Sequence, residues 1–345
     1  MIEIDGSEQS GRGTIVRFAV ALAALCATPI HLVNARARRA RPGLRPQHVA
    51  AVRACAELCG AQTEGVSVDS RELVFRPGPG IRGGTYAWDI GSAGSAPMLV
   101  LGVLPLACLA DAPVSARVTG GVFQDFAPSP FHEEHVLAPL LARMGARAGL
   151  EVARPGYVPA GAGVLELRVR PAARGLAPLA LLEPGAAREV RGVALSSHLA
   201  ERRVSERMAR ACEEALAAGG LRCAIERVDD ATASRAGAGL AVWVETSAGC
   251  RFGADRAGAP RRSSEAIGQR VARDLLADLA SGATVDRHLA DQLVLFACLA
   301  RGTTRYRVPA DSEHLRTNLW LAERFGARAR REGPWVEVDG LGLRA

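Results

Sequence analysis

Apolar positions along this chain follow two spacings, and the switch between them lays out the elements. Residues 14–28 and 95–109 are apolar on every face, as in a helix buried all round. Residues 47–60 form an alanine-rich helix opened by Pro46 and closed by Gly60. Residues 30–34, 66–76 and 84–90 are β-rich and predict strands. A second round follows, with helix 95–109, strand 113–119, helix 130–145 and strands 149–154 and 164–169. A third, partial round closes the chain, with helix 286–300, strand 303–308, helix 313–325 and strand 335–338. This rhythm predicts an α/β (α+β) fold of repeated βαβαββ units.

The stretch between rounds two and three breaks the rhythm. It holds strand 189–195, a charged helix over 199–218, strands 221–228 and 240–245, and a helix beginning near 263. Its 229–239 stretch is small and polar, as a loop should be. The expected organisation is a core over 1–188, an inserted small domain over 189–268, and the rest of the core over 269–345.

Composition narrows the chemistry. The 345 residues are 48% hydrophobic, enough for real cores, and no apolar run reaches membrane-spanning length. The N-terminus lacks the basic region of a secretory signal, so a cytoplasmic protein with no membrane partner is expected. The chain contains no lysine, and the net charge of +7 rests on arginine. That excludes a phosphate loop with its lysine, a lysine–nucleotide intermediate and a Schiff base. Covalent catalysis would have to use another nucleophile. Arginine favours planar, bidentate contact with phosphate or carboxylate. Aromatic residues are only 4%, which argues against a base-stacking platform of the single-strand-binding type. The eight cysteines include no two-residue-spaced pair and read as small buried thiols in a reducing compartment. His132 and His135 lack metalloprotease spacing and predict a solvated helix start.

The candidate chemistry starts at residues 36–48. Arg36, Arg38, Arg39, Arg41 and Arg45 fall within ten residues, Pro42-Gly43 shapes the loop, and a helix opens behind it. Guanidinium groups keep their charge, so this run must face water, carboxylates or phosphate. Two glycine-rich turns, Gly11-Arg12-Gly13 and Gly91-Ser92-Ala93-Gly94-Ser95, also open helices, and free backbone N–H groups there favour anions.

These segments fall in a specific order. Asp5-Gly6 through Arg17 comes first, then 36–48, Phe75-Arg76-Pro77-Gly78, Gly91 to Ser95, Gly120-Gly121 and 156–161. His288-Leu289-Ala290-Asp291-Gln292-Leu293 and Ser312-Glu313-His314-Leu315-Arg316-Thr317-Asn318 complete the series. In this order the chain resembles RNA 3′-terminal phosphate cyclases along nearly its whole length. The resemblance implies three repeats like the C-terminal domain of translation initiation factor 3, with a small thioredoxin-like α/β insert. It implies ATP-dependent conversion of an RNA 3′-phosphate to a 2′,3′-cyclic phosphate, with RNA 3′-phosphate ends as the partner. ATP and a divalent metal, magnesium or manganese, are the implied cofactors.

The resemblance places the nucleophile that accepts AMP at His314. It places ATP contacts at His288, Leu289, Ala290, Asp291, Gln292 and Arg17. Arg36, Arg39, Gln47 and His48 match positions facing RNA or triphosphate phosphates. No metal ligand is assigned, because Ser10 stands where the family has a metal-binding glutamate. Arg12 replaces a glycine, Thr14 a glutamine, and Gly102 an adenine-contacting glutamine. A different class therefore stays open beside the enzyme: a non-catalytic cyclase-like RNA-binding or ribosome-assembly factor. A related enolpyruvyl-transferase chemistry would depend on lysines that the chain lacks.

Overall fold

The structure is a computed structural model and describes residues 1–344. Its first unit runs β1 (Ile2–Asp5), α1 (Gly13–Leu25), β2 (Ile30–Val33), α2 (Pro46–Cys59), β3 (Gln62–Glu64) and β4 (Leu73–Arg76). Sheet order is β1-β2-β4-β3, with β1 parallel to β2 and the remaining pairs antiparallel. The second unit runs β5 (Gly84–Asp89), α3 (Ala96–Cys108) and β6 (Val114–Gly120), then α4 (Pro130–His132), a π-helical turn (Glu133–Leu137) and α5 (Ala138–Met144). β7 (Arg147–Arg154) and β8 (Gly163–Arg170) end it, and its order β5-β6-β8-β7 repeats the first arrangement strand for strand.

Residues 190–280 form a separate sheet. Its elements are β9 (Val190–Ser197), α6 (Val204–Ala218), β10 (Cys223–Asp230), β11 (Gly237–Glu245), β12 (Arg251–Ala257) and α7 (Ser264–Ala280). The order is β10-β9-β11-β12, and α7 packs on α6, β11 and β12. Residue 268, where the insert was expected to end, lies inside α7. The last elements are α8 (Leu289–Leu299), β13 (Thr303–Arg307), α9 (Glu313–Arg324), β14 (Arg328–Glu332) and β15 (Trp335–Asp339). They make a three-stranded sheet, β13-β15-β14, and Ala180 bridges Arg305 in parallel at its open side. The whole is a mixed α/β fold of small sheets. Among the described residues no helix is long and apolar enough to cross a membrane.

The helices buried all round organise the core. α1 packs on α2, α3 and α9, and α8 packs on α9. Every α1 residue from Thr14 to Ala24 is buried, including Arg17. Six of the cysteines are buried, Cys26 and Cys223 are half-buried, and all eight are free. Burial pushes the Cys108 thiol up to about 12, so it stays protonated and unreactive.

Several local expectations are corrected. The strand expected over 66–76 shrinks to β4, and β3 precedes it. Residues 66–72 instead loop outward, with Val68 47% exposed, and the polar run Asp69-Ser70-Arg71-Glu72 ends the apolar alternation. β1, β12 and β14 were not foreseen; β14 reads Arg-Ala-Arg-Arg-Glu and buries only Ala329. His132 is not solvated: it is 2% exposed and ion-paired to Asp286, 154 residues away.

Candidate active site

Contacts between loops draw the N-termini of several helices together. At α1, Thr14 Oγ1 lies 3.1 Å from His314 Nδ1 in the first turn of α9. Ser10 N donates to Thr317 Oγ1 at 3.2 Å, and Arg12 pairs with Glu313 at 3.2 Å. At α2, His48 reaches α1: a Cβ on Gly13 would sit 2.2 Å from His48 Nε2, so only glycine permits this approach. At α3, Gln47 Oε1 accepts from Ser95 N at 2.9 Å, and Ser95 Oγ caps the helix by accepting from Met98 N. At α8, Asn318 Nδ2 of α9 donates to Asp291 O at 2.8 Å. Helix N-termini carry partial positive charge and unpaired N–H groups, so their convergence is electrostatically suited to an anion.

Arg17 lies within this convergence. It is 4% exposed, and Nε has no hydrogen-bond partner. Burial lowers its pKa to about 10, helped by Arg36 and opposed by Asp291, so it remains cationic at neutral pH. Ser10 Oγ, Gln292 Oε1 and Asn318 Oδ1 are likewise buried without partners. Orphaned buried polar groups are rare in finished cores and fit a site that a polar ligand completes.

The basic loop is built rather than floppy. Arg36 is buried, and its guanidinium donates to the carbonyls of Arg41 and Gly43, so it braces the loop from inside. Arg38 Nη1 donates to Gln9 O at 2.7 Å and ties this loop to the first glycine-rich turn. Arg39 is exposed and free to meet a phosphate. His48 Nδ1 accepts from Arg45 N at 3.2 Å, which leaves Nε2 as the N–H facing Gly13. Burial first, then Arg17, Arg36 and Arg39, hold His48 well below the ordinary histidine pKa, so it is a neutral donor.

In the 288–292 segment, Leu289 and Ala290 face the core, and Ala290 O accepts from Tyr306 Oη at 2.9 Å. His288 is exposed, Asp291 half-buried and Gln292 buried. Side-chain chemistry in this segment thus rests with His288, Asp291 and Gln292. Burial raises Asp291 to about 7, assisted by Asp286 and opposed by His132 and Arg17.

His314 is half-buried. Burial, then Arg12 and Arg17, lower its pKa; Glu313 opposes them and His288 adds to them. Its imidazole is therefore neutral at pH 7. When Nδ1–H donates to Thr14 Oγ1, Nε2 carries the free lone pair. Thr14→Val keeps the shape and removes the acceptor. It is expected to slow attack by Nε2 roughly tenfold, about 1.5 kcal/mol. If His314 is the nucleophile, its protonation silences it, so the rate should fall on the acid side as the imidazole titrates. Single-turnover rates between pH 5 and 8 check both points, and a rate that does not fall toward pH 5 would contradict the assignment. Thr14 as a partner of His314 was not legible from sequence, since the residues lie 300 positions apart.

Comparison with known proteins gives one result throughout. A family model described as RNA 3′-terminal phosphate cyclase matches residues 8–330. A protein of that name from Methanopyrus kandleri is 39% identical over 331 residues, covering 94% of this chain and 93% of its own length. One from Pyrobaculum neutrophilum is 36% identical over 346 residues, covering 99% of each. One from Methylococcus capsulatus is 38% identical over 332 residues, covering 94% of this chain and 91% of its own.

Proposed function

The chain belongs to the RNA 3′-terminal phosphate cyclase family, and from that premise we propose that it closes RNA 3′-phosphates to 2′,3′-cyclic phosphates with ATP through a histidine–AMP adduct. The observation that carries this reading is the neutral His314 imidazole, held by Thr14 where helix N-termini and Arg17 converge. His314 Nε2 attacks the α-phosphorus of ATP, and pyrophosphate leaves. An oxygen of the RNA 3′-phosphate then attacks the phosphorus of the adduct; the Nε2–P bond breaks and a mixed anhydride with AMP forms. The vicinal 2′-hydroxyl attacks the RNA phosphorus, AMP leaves, and the hydroxyl proton passes to solvent. The converging N–H groups and Arg17 neutralise charge at the reacting phosphorus, and Arg39 offers a contact for the incoming RNA phosphate. In this reading the repeated sheets are the initiation-factor-like repeats, and 190–280 is the thioredoxin-like insert.

The residues do not supply a ligand set for the divalent ion. Among the described residues no three His, Cys, Asp or Glu side chains gather as a metal site. Ser10 offers a hydroxyl, Glu313 is engaged by Arg12, and Asp291 faces the charge of Arg17. An ion accompanying ATP would be held by phosphate oxygens and water. Ser10 is also the feature that favours a second reading, a non-catalytic RNA-binding factor. Incubating an RNA oligonucleotide bearing a 3′-phosphate with enzyme and ATP decides between them. Phosphatase-resistant, ATP-dependent product supports the cyclase; tight RNA binding with no product supports the other.

Gly102 carries a further expectation. A Cβ there would meet only the Arg17 stem, at 3.8 and 3.9 Å, so the first side-chain atom is accommodated. Gly102→Gln should add a hydrogen bond to the adenine edge and raise the preference for ATP over GTP about three- to tenfold, roughly 0.5–1.5 kcal/mol. Labelling rates with each nucleotide measure it, and an unchanged ratio would place adenine elsewhere.

A further inference from the structure

We propose that the 190–280 segment is a working part of the nucleotide site: Gly253 of β12 holds Asp286, and Asp286 with His132 positions the first turn of α8. This rests on the reading that 288–292 binds ATP. Asp286 is fully buried, and its carboxylate accepts four hydrogen bonds from three parts of the chain. Oδ1 accepts from His288 N and Leu289 N, both at 2.8 Å, and so caps α8. Oδ2 accepts from His132 Nε2 at 2.9 Å and from Gly253 N at 2.9 Å. The α8 start, the π-helical turn region and the β9–β12 sheet therefore meet on one side chain. A carboxylate this deep is stable only with charge and donors around it.

The surrounding packing holds this junction in one arrangement. A Cβ on Gly253 would lie 2.8 Å from His132 Cδ2 and 2.8 Å from Val136 Cγ2, so β12 can approach only with glycine there. Arg251 bridges Val285 in parallel, and its Nη1 donates to His135 O at 3.1 Å. His135 stacks on Trp243 of β11 at 3.9 Å. His132 also meets His288 edge-on at 5.9 Å, which carries the junction to the exposed histidine of the ATP segment. Against its burial, the Asp286 pKa is lowered to about 2, chiefly by His132, so the carboxylate stays ionised. Asp255, whose Oδ2 accepts from Ser129 N, lies nearby; burial and that charge push the Glu133 pKa well up, which favours its neutral form. Asp286 and His132 are thus positioning residues that touch no reacting atom.

The test measures binding of a non-hydrolysable ATP analogue, together with KM for ATP and the maximal rate of enzyme labelling. Gly253→Ala and Asp286→Ala are expected to weaken analogue binding and raise KM about tenfold or more, with the maximal rate changed less than about threefold. Asp286→Asn keeps one oxygen for the His288 and Leu289 N–H groups but turns an NH2 toward Gly253 N–H, so it should also weaken analogue binding. Leu216→Ala is the control: it hollows the core of the same segment, far from the junction, and should lower Tm while leaving nucleotide affinity unchanged. Wild-type affinity in Gly253→Ala and Asp286→Ala would overturn the proposal while leaving the ATP reading intact. So would an equal loss in Leu216→Ala, or wild-type affinity in Asp286→Asn. A wild-type protein that does not bind the analogue would remove the ATP reading and this inference with it.

Discussion

His314→Ala is expected to take up no AMP and to form no cyclic phosphate, a loss on the order of 10³-fold or more, as expected when a covalent nucleophile is removed. No lysine exists in the chain to stand in for it. The fold should survive, because His314 is half-buried and its one side-chain hydrogen bond is to Thr14. Leaving the Thr14 hydroxyl unpaired costs about 1 kcal/mol, or roughly 2 °C in Tm. Nucleotide affinity should be nearly unchanged, since Arg17 and the converging helix N-termini remain. Labelling, cyclisation, thermal melting and analogue binding on one preparation separate loss of chemistry from loss of structure. A variant that still labels would move the nucleophile elsewhere.

Arg17→Met should be nearly as damaging to the chemistry and almost silent in stability. Methionine fills most of the volume and removes the charge. The guanidinium is buried with Nε unpartnered, so it stabilises the empty fold little. Its value lies in the charge it presents where the nucleotide phosphates are expected. Its loss should slow labelling about 10²–10³-fold. Asp291 should respond as well: Arg17 holds its pKa down, and without that cation the carboxyl moves above about 7 and is largely neutral at neutral pH. Tm is expected to stay within roughly 2 °C of wild type. A large fall in Tm with labelling retained would make Arg17 a structural residue.

How legible this was depended on how local each signal is. Helices apolar on every face announce themselves, and α1, α3 and α8 were read within a few residues. The α8 start was read at 286 instead of 289 because Asp286 spends its carboxylate capping the helix from outside it. β12, with the sequence Arg-Phe-Gly-Ala-Asp-Arg-Ala, lacks β-branched residues and owes its place to pairing with β11. The basic loop and the glycine-rich turns could be located in the sequence, since charge and backbone freedom are written in residue type. Their meeting could not, because it depends on contacts such as Thr14 with His314 and Gln47 with Ser95. His132 shows the limit: its neighbours in sequence suggest a wet helix start, and only the structure shows it buried against Asp286.

The central claim is that His314 carries AMP. Wild-type protein incubated with ATP, digested and mapped by mass spectrometry tests it most directly. One AMP on the peptide containing residues 312–318, localised to His314 and lost in acid but not in base, is the expected result. AMP on any other residue, or no adduct at high enzyme concentration while ATP binding is intact, would contradict it.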